Sequence, residues 1–359
     1  MVLDFILSRF GISRRIRTKE EIMRISYVAN KIFPLNNAKL ALRRAKNILL
    51  SFVAWRYGII INNIKPSILQ IETVSGCNFN CLMCRAGENK KEFMRFEDFS
   101  KIFEKIPEAF VAIMNLSGEP FLSKDTIKMI KYASSERNIL VNIFSNFSVL
   151  PDPYQVIQSG LYEIHASVDS FDEKKFSKIR EGGDLKKVLH NLQKLVEAKR
   201  KTGKYLPIIS INAVLSEENT EDAEEIIKNG IKIGVDRIKF QRLLFNVPEL
   251  HVPSEKSRQK VQGLKEKYKN KIEIVLNNFE DIGTRANGYC YLAYFMATIR
   301  VNGTLYPCCM PYPFFFPTES IMGNIFENEK TFYQNRAKFI RNFRSNPPQF
   351  CKQCPIYKR

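Results

Sequence analysis

From Ser67 onward the chain alternates short apolar runs with longer segments whose apolar residues recur every three or four positions. The runs read as strands and the periodic segments as amphipathic helices. Strands are predicted at Ile68–Val74, Val111–Leu116, Leu140–Phe144, Glu163–Val168, Ile208–Val214 and Arg237–Leu243. Helices are predicted in the gaps at Phe96–Ile106, Lys124–Ser135, Tyr154–Gln158, Leu185–Arg200, Thr220–Ile233 and Ser254–Tyr268. Such alternation marks parallel strands joined by crossover helices, and six strands suffice for an open α/β barrel, a partial (β/α)6 TIM-like architecture. In sheets of this kind ligands gather at the C-terminal ends of the strands.

A further strand is expected at Lys271–Leu276, after which the helical period stops and Gly, Pro, Tyr, Phe and Cys become dense from Arg285 to the end. The pattern divides the chain into a basic, partly helical extension (1–66), a barrel (67–284) and a smaller C-terminal unit (285–359). Pro307–Pro317 has little helical or strand period, so a bound metal would have to compensate for its weak regular structure.

Composition narrows the class. With 45% hydrophobic and 26% charged residues the chain is globular, neither fibrous nor disordered. Its eight cysteines fall in two groups, which favours metal over disulfide bridges. The first fifteen residues have Asp4 inside a short apolar run and basic residues after it, so no signal peptide is read. Ile48–Trp55 is far shorter than the roughly 20 residues that cross a bilayer. A reducing, cytoplasmic compartment is therefore expected, with free thiols.

The net charge of +19 is unevenly placed: residues 1–65 hold thirteen Lys/Arg against three Asp/Glu. Leu40–Ile61 mixes basic residues with Leu, Ile, Phe, Trp and Tyr at mostly helical spacing, the pattern of a helix lying on anionic lipid. Peripheral contact with the inner membrane face, nucleic acid, and a helix packed on the barrel with a solvated basic face all stay open, nucleic acid being the least favoured.

The chemistry centres on CNFNCLMC, where Cys77, Cys81 and Cys84 follow the first strand with C-x3-C-x2-C spacing. Three thiolates on one loop can hold three corners of a [4Fe–4S] cluster and leave one iron open. A zinc knuckle would need a fourth ligand, and no His or Cys lies nearby in sequence. This motif resembles the fingerprint of the radical S-adenosylmethionine superfamily. The resemblance implies that the open iron binds S-adenosylmethionine, that an electron from a flavodoxin- or ferredoxin-type donor cleaves it to a 5′-deoxyadenosyl radical, and that this radical abstracts a substrate hydrogen.

The same resemblance assigns further residues. Met83 stands where the family usually has an aromatic residue facing the adenine. Gly118 and Glu119, in LSGEP, match a motif that holds the methionyl ammonium, with Ser117 in place of its first glycine. Asn146, at the end of the third strand, is a cofactor contact by analogy. Ser167 and Asp169, in HASVD, match positions near the ribose or carboxylate, Arg180 matches an arginine that meets the carboxylate, and Asn212 a residue at the ribose. His165 shares a strand face with Ser167 and is the weak candidate for a catalytic acid or base, a hydrogen-bonded structural histidine being the favoured reading.

Cys290, Cys308, Cys351 and Cys354 give C-x17-C-x42-C-x2-C, a set able to close a second cluster or to bind zinc. It is similar to the SPASM/Twitch auxiliary domains of radical enzymes, which implies an auxiliary [4Fe–4S] cluster; Cys309 is left over. The chain is thus expected to be an enzyme that oxidises or modifies a sugar or other alcohol, a peptide or a lipid-linked substrate. The competing reading is a non-catalytic iron–sulfur or zinc protein that binds membrane or nucleic acid through its basic N-terminus.

Overall fold

In the computed structural model two helices, α1 (Lys19–Ile32) and α2 (Ala38–Tyr57), precede a sheet whose strands pair almost in chain order. The structure describes residues 19–244, 246–277, 279, 285–286, 289–308, 320–348, 351–352 and 354. Expectations for residues 1–18, for Cys309 and for most of Pro307–Pro317 lie outside the described residues.

β1 (Ile68–Ile71), β2 (Val111–Ile113), β3 (Leu140–Ser145), β4 (Glu163–Ser167), β5 (Ile208–Leu215) and β6 (Arg237–Arg242) are successive parallel neighbours, and β7 (Glu273–Asn277) adds the expected extra strand. The crossovers carry α3 (Phe96–Lys105), α4 (Thr126–Lys131), α5 (Pro153–Gln158), α6 (Glu173–Ile179), α7 (Leu185–Thr202), α8 (Ala223–Ile233) and α9 (Glu255–Tyr268). The helix predicted over Lys124–Ser135 is shorter and runs into a π turn at Tyr132–Glu136. α6 was not foreseen in the sequence: Asp172 caps it, and only Phe176 and Ile179 of its two turns are buried.

Side chains alternate across a strand. Ile143, Ile164, Ala166, Ile209, Ile211 and Ile238 therefore pack under the helices in the main apolar core. Their neighbours Asn142, Glu163, His165, Ser210, Asn212 and Lys239 point the other way, into the barrel. The first residues of three strands, Val111, Leu140 and Ile208, form a separate apolar cluster with Val28, Ile32 and Ile48 of α1 and α2. The two N-terminal helices thus close the end of the barrel opposite the strand-to-helix loops.

That closure is held by an arginine. Asn37 caps α2 at its start and Gly58, at φ +63°, ends it. Between them Arg44 is buried, and its guanidinium donates to the carbonyls of Lys31, Pro107, Ala109, Arg137 and Asn138. Tyr27 stacks on Tyr162 with ring centroids 6.2 Å apart and donates to the Gly160 carbonyl. Part of the basic N-terminal charge therefore serves packing. No helix among the described residues is long and apolar enough to cross a membrane.

The C-terminal segment joins the barrel sheet directly. β8 (Met296–Ile299) runs parallel to β1, and β9 (Thr304–Tyr306) and β10 (Gly323–Asn324) continue antiparallel from it. Sequence reading gave this segment little regular structure, yet α10 (Glu329–Ser345) is a 17-residue helix whose Phe332, Tyr333, Arg336, Phe339 and Ile340 are buried. Arg336 donates to the carbonyls of Ile64 and Tyr294, tying α10 to both the N-terminal extension and the helical turn that leads into β8.

Arg44→Met keeps most of the apolar stem but leaves five carbonyls without their donor, so unfolding free energy should fall by about 3 kcal/mol or more. Lys39→Ala, on the exposed side of the same helix, should change it by less than about 0.5 kcal/mol. Urea unfolding followed by far-UV circular dichroism reads both.

Candidate functional site

The loop after β1 is fixed by backbone pairing before any side chain is considered. Gly76 donates to the Ser117 carbonyl at 2.9 Å, and Glu119 donates back to Gly76 at 3.4 Å. A Cβ on Gly118 would stand 2.2 Å from the Val74 oxygen, so glycine is demanded here by another strand end rather than by a ligand. Asn80–Cys81 pairs antiparallel with Arg180–Glu181, and Leu82 donates to the Ile179 carbonyl at 3.0 Å. Phe79 is buried in the main core and anchors the loop between its first two cysteines.

On this frame Cys77, Cys81 and Cys84 are partly exposed and not disulfide-bonded. Donors face the sulfurs: the Phe79 amide lies 3.4 Å and Asn146 Nδ2 3.5 Å from Cys77 Sγ, and Arg180 Nη1 is 3.9 Å from Cys81 Sγ. Burial pushes the Cys77 and Cys84 thiols above their ordinary range and Cys81 up to about 12, against the pull of Arg180. Thiols with this bias stay protonated until a metal displaces the proton, and the surrounding donors then favour the thiolate.

Asp169 is fully buried and carries two bonds that organise the mouth. Its Oδ2 lies 2.7 Å from Arg180 Nε, and its Oδ1 accepts from the Val214 amide at 2.7 Å. Burial alone would lower the Arg180 pKa, but Asp169 and the nearby cysteines raise it. The partner that the structure gives Arg180 is therefore Asp169, where the sequence pointed both residues at a cofactor. Glu119 is equally enclosed: it accepts from the Phe121 amide (3.1 Å), Ser145 Oγ (2.8 Å) and the Asn146 amide (2.6 Å). Burial outweighs these donors and lifts its pKa to about 7. A cationic amine beside it would restore the carboxylate.

Direct contacts thus join Cys77, Asn146 and Glu119 in one set and Cys81, Arg180 and Asp169 in another. Met83 packs instead in a small cluster with Ile179, Leu243 and Leu250. Ser167 and Asn212 are register partners on β4 and β5, and the buried Asn212 Oδ1 has no hydrogen-bond partner. His165 lies one step deeper in the barrel, fully buried. Its Nδ1 is 2.8 Å from Ser210 Oγ and 3.6 Å from Glu163, its ring stacks on Phe144 at 4.0 Å, and its Nε2 is unpartnered. Burial, with Lys239 and Arg237, lowers its pKa to about 3 against the opposing pull of Glu163, so the imidazole is neutral.

Sequence reasoning missed Glu72. This buried carboxylate, directly after β1, accepts from Ser117 Oγ, from Arg300 Nε (3.2 Å) and from the Val301 amide (3.1 Å). It links the barrel to the C-terminal segment. A charged residue closing an apolar strand was the available signal.

In the C-terminal segment Cys290 and Cys308 pack partly buried against the main core, while Cys351 and Cys354 are buried. Burial raises the Cys351 thiol, with Cys290 and Cys354 close enough to add to the effect. Among the described residues no three His, Cys, Asp or Glu side chains converge on a point that a single metal ion would occupy. A single zinc ion draws its ligands to one centre, whereas a four-iron cluster takes each thiolate at a separate corner.

Comparisons with known proteins agree. The family model described as the radical SAM superfamily matches residues 71–229, and SPASM, described as an iron–sulfur cluster-binding domain, matches 290–355. A GTP 3′,8-cyclase from Clostridium botulinum is 28% identical over 189 residues, 50% of this chain and 57% of that protein. A tungsten-containing aldehyde ferredoxin oxidoreductase cofactor-modifying protein from Pyrococcus furiosus is 26% identical over 189 residues, 50% and 52% of the two chains. The chain spans little more than half the length of these relatives. Among solved structures, Streptococcus suis SuiB bound to S-adenosylmethionine superposes with TM-score 0.66 at 16% identity, covering 98% of this chain and 80% of that one. anSMEcpe with bound AdoMet gives 0.59 at 17% identity, covering 80% and 87%.

The neutral buried imidazole makes a pH prediction. His165 takes its proton at about 6.5 when unfolded and about 3 when folded, so stability is complete above pH 6.5 and drains as pH falls toward 3. Between pH 6.5 and about pH 5 the His165 contribution should be about 2 kcal/mol, at about 1.4 kcal/mol per unit. His165→Gln should flatten the pH dependence by that amount in urea unfolding; parallel profiles for the two proteins would contradict it.

Proposed function

The chain belongs to the radical S-adenosylmethionine superfamily and carries a SPASM domain, and on that premise we propose how its residues divide the work. Cys77, Cys81 and Cys84 would hold the [4Fe–4S] cluster that binds S-adenosylmethionine. Cys290, Cys308, Cys351 and Cys354 would hold an auxiliary cluster. With S-adenosylmethionine, the first cluster supplies a 5′-deoxyadenosyl radical for hydrogen abstraction.

The observation that carries this reading is the cysteine loop itself. Three thiols stand together at the C-terminal mouth of a parallel barrel, with Asn146 and Arg180 donating toward two of them. The Asp169 pair orients Arg180 so that its guanidinium lies beside Cys81. Glu119, near neutrality at physiological pH, is the acceptor for the cofactor ammonium. Ser167 and the unpartnered Asn212 Oδ1 are acceptors for its hydroxyls.

Substrate would occupy the barrel below the cofactor. Asn142, His165, Asn212 and Lys239 face that space, which favours a polar, hydrogen-bonding molecule such as a sugar, an aminocyclitol or a peptide segment over an apolar one. The SuiB structure with its precursor peptide SuiA shows the peptide case for a protein of similar fold. The auxiliary cluster would support net oxidation or modification, with a flavodoxin or ferredoxin as reductant of the first site.

Anaerobically purified protein should contain about eight irons per chain, two four-iron clusters, and release 5′-deoxyadenosine when reduced with S-adenosylmethionine. Cys77→Ala should lose about four irons and all cofactor cleavage. Cys354→Ala should lose about four irons and retain measurable cleavage. Zinc in place of iron, or equal loss of cleavage in both variants, would overturn the assignment.

A further inference from the structure

α2 has two faces of opposite character. Arg44, Asn47, Ile48, Ser51, Ala54 and Trp55 are buried against the barrel. On the far side Lys39, Leu42, Lys46, Leu49, Val53 and Arg56 recur at alternating spacings of three and four, a single helical stripe. Leu42 is 73% and Leu49 58% exposed; Leu35, in the turn just before the helix, is 93%, and Tyr57 and Ile59, at its end, are 65% and 49%. These five are close to half of the large apolar side chains left in water among the described residues. Isolated exposed leucines are ordinary, whereas a run of them on one helix marks a contact surface.

Charge identifies the other side of that contact. From Ile22 to Ile71 there is no Asp or Glu, while eight Lys or Arg occur. No ion pair engages Lys39 or Lys46 among the described residues, and the nearest paired base, Arg43, is neutralised by Glu108 of the barrel at 2.6 Å. A second copy of the chain is a poor occupant, because a self-complementary contact would set the same lysines against one another. Residues 1–18 fit no better: they carry Arg9, Arg14, Arg15 and Arg17 against a single Asp4. Nucleic acid would meet the lysines but leave the leucines between them unused. A surface that offers negative charge with an apolar layer beneath it satisfies both residue types at once.

We infer that the exposed stripe of α2, with Leu35 and Tyr57 at its two ends, docks the protein on an anionic phospholipid surface. Leu35, Leu42 and Leu49 enter the boundary between head groups and acyl chains, and Lys39, Lys46 and Arg56 meet lipid phosphates. The contact is peripheral, since the opposite face of the helix stays on the barrel. It also sets orientation. α1 and α2 cover the N-terminal ends of the strands, so the cysteine loop, at the other ends, is directed away from the lipid.

The test is sedimentation of the full-length, iron-loaded protein with vesicles. Vesicles of phosphatidylcholine with phosphatidylglycerol should pull the protein down, phosphatidylcholine alone should do so at least tenfold more weakly, and high salt should release it. Leu42→Ser with Leu49→Ser should lower partition into the anionic vesicles about tenfold or more, while iron content, thermal midpoint and 5′-deoxyadenosine release stay unchanged, because both side chains are exposed and remote from the cysteine loop. Equal binding to neutral vesicles, no binding to either kind, or full binding by the double variant would each overturn the proposal. So would a dimer in sedimentation velocity that the double variant abolishes, or duplex DNA displacing the vesicles.

Discussion

The mouth of the barrel depends on one buried ion pair. Asp169, at the end of β4, holds Arg180 at 2.7 Å and at the same time accepts the amide of Val214 on β5. Arg180 in turn is the residue whose backbone pairs with Cys81 and whose guanidinium reaches the Cys81 sulfur. Through four residues the sheet thus fixes the position of a loop that has almost no regular structure of its own. Removing one partner of such a pair leaves the other charge enclosed, at a typical cost of about 3–5 kcal/mol. The cost is local: it would fall on the loop that carries the cysteines before it reached the core. The salt bridge adds to the backbone pairing of the loop while leaving the sulfurs partly exposed.

The same economy appears on the opposite side of the mouth. Glu72 and Glu119 are enclosed carboxylates, each satisfied by several donors from neighbouring segments. Glu72 sees the fixed charge of Arg300 and joins the barrel to β8; Glu119 sees mainly neutral donors and is pushed toward protonation. Two carboxylates at adjacent strand ends therefore face partners of different charge. One is a permanent tie between the two halves of the chain. The other keeps capacity for a cation, which is what a site for a cofactor ammonium requires.

Much of this was legible in the sequence, and the misses have physical causes. The six strands and the extra one lie within a few residues of their predicted places because buried parallel strands read as unbroken apolar runs. The cysteine spacing, Glu119 and Asp169 were visible because chemistry at strand ends is punctuated by Gly, Asp and Cys in otherwise apolar surroundings. The pairing of Arg180 with Asp169 was not, because ten residues of loop and helix separate them and only the fold brings them together. α10 carries Phe332, Arg336, Phe339 and Ile340 at helical spacing, but a buried arginine in place of an apolar residue and the aromatic and cysteine-rich flanks obscure the period. The burial of Arg44 was not legible, since nothing local shows that five carbonyls will surround it.

The two ends of the barrel are built for opposite tasks, and their wall chemistry enforces the difference. At the lower end Val111, Leu140 and Ile208 meet the apolar faces of α1 and α2, and Arg44 consumes the carbonyls that would otherwise admit water. Above that seal the inward rows turn polar, from Asn142 and Glu163 through His165 to Asn212 and Lys239. A barrel closed below by packing opens toward the cysteine loop, so a ligand bound beneath that loop is shielded from water on its lower side. Glu163 is locked to Arg237 at 2.8 Å and His165 is held neutral by burial, so neither offers a ready proton to whatever is bound above them. Glu163 and His165 thus supply hydrogen bonds rather than protons, which suits chemistry in which the protein aims a radical.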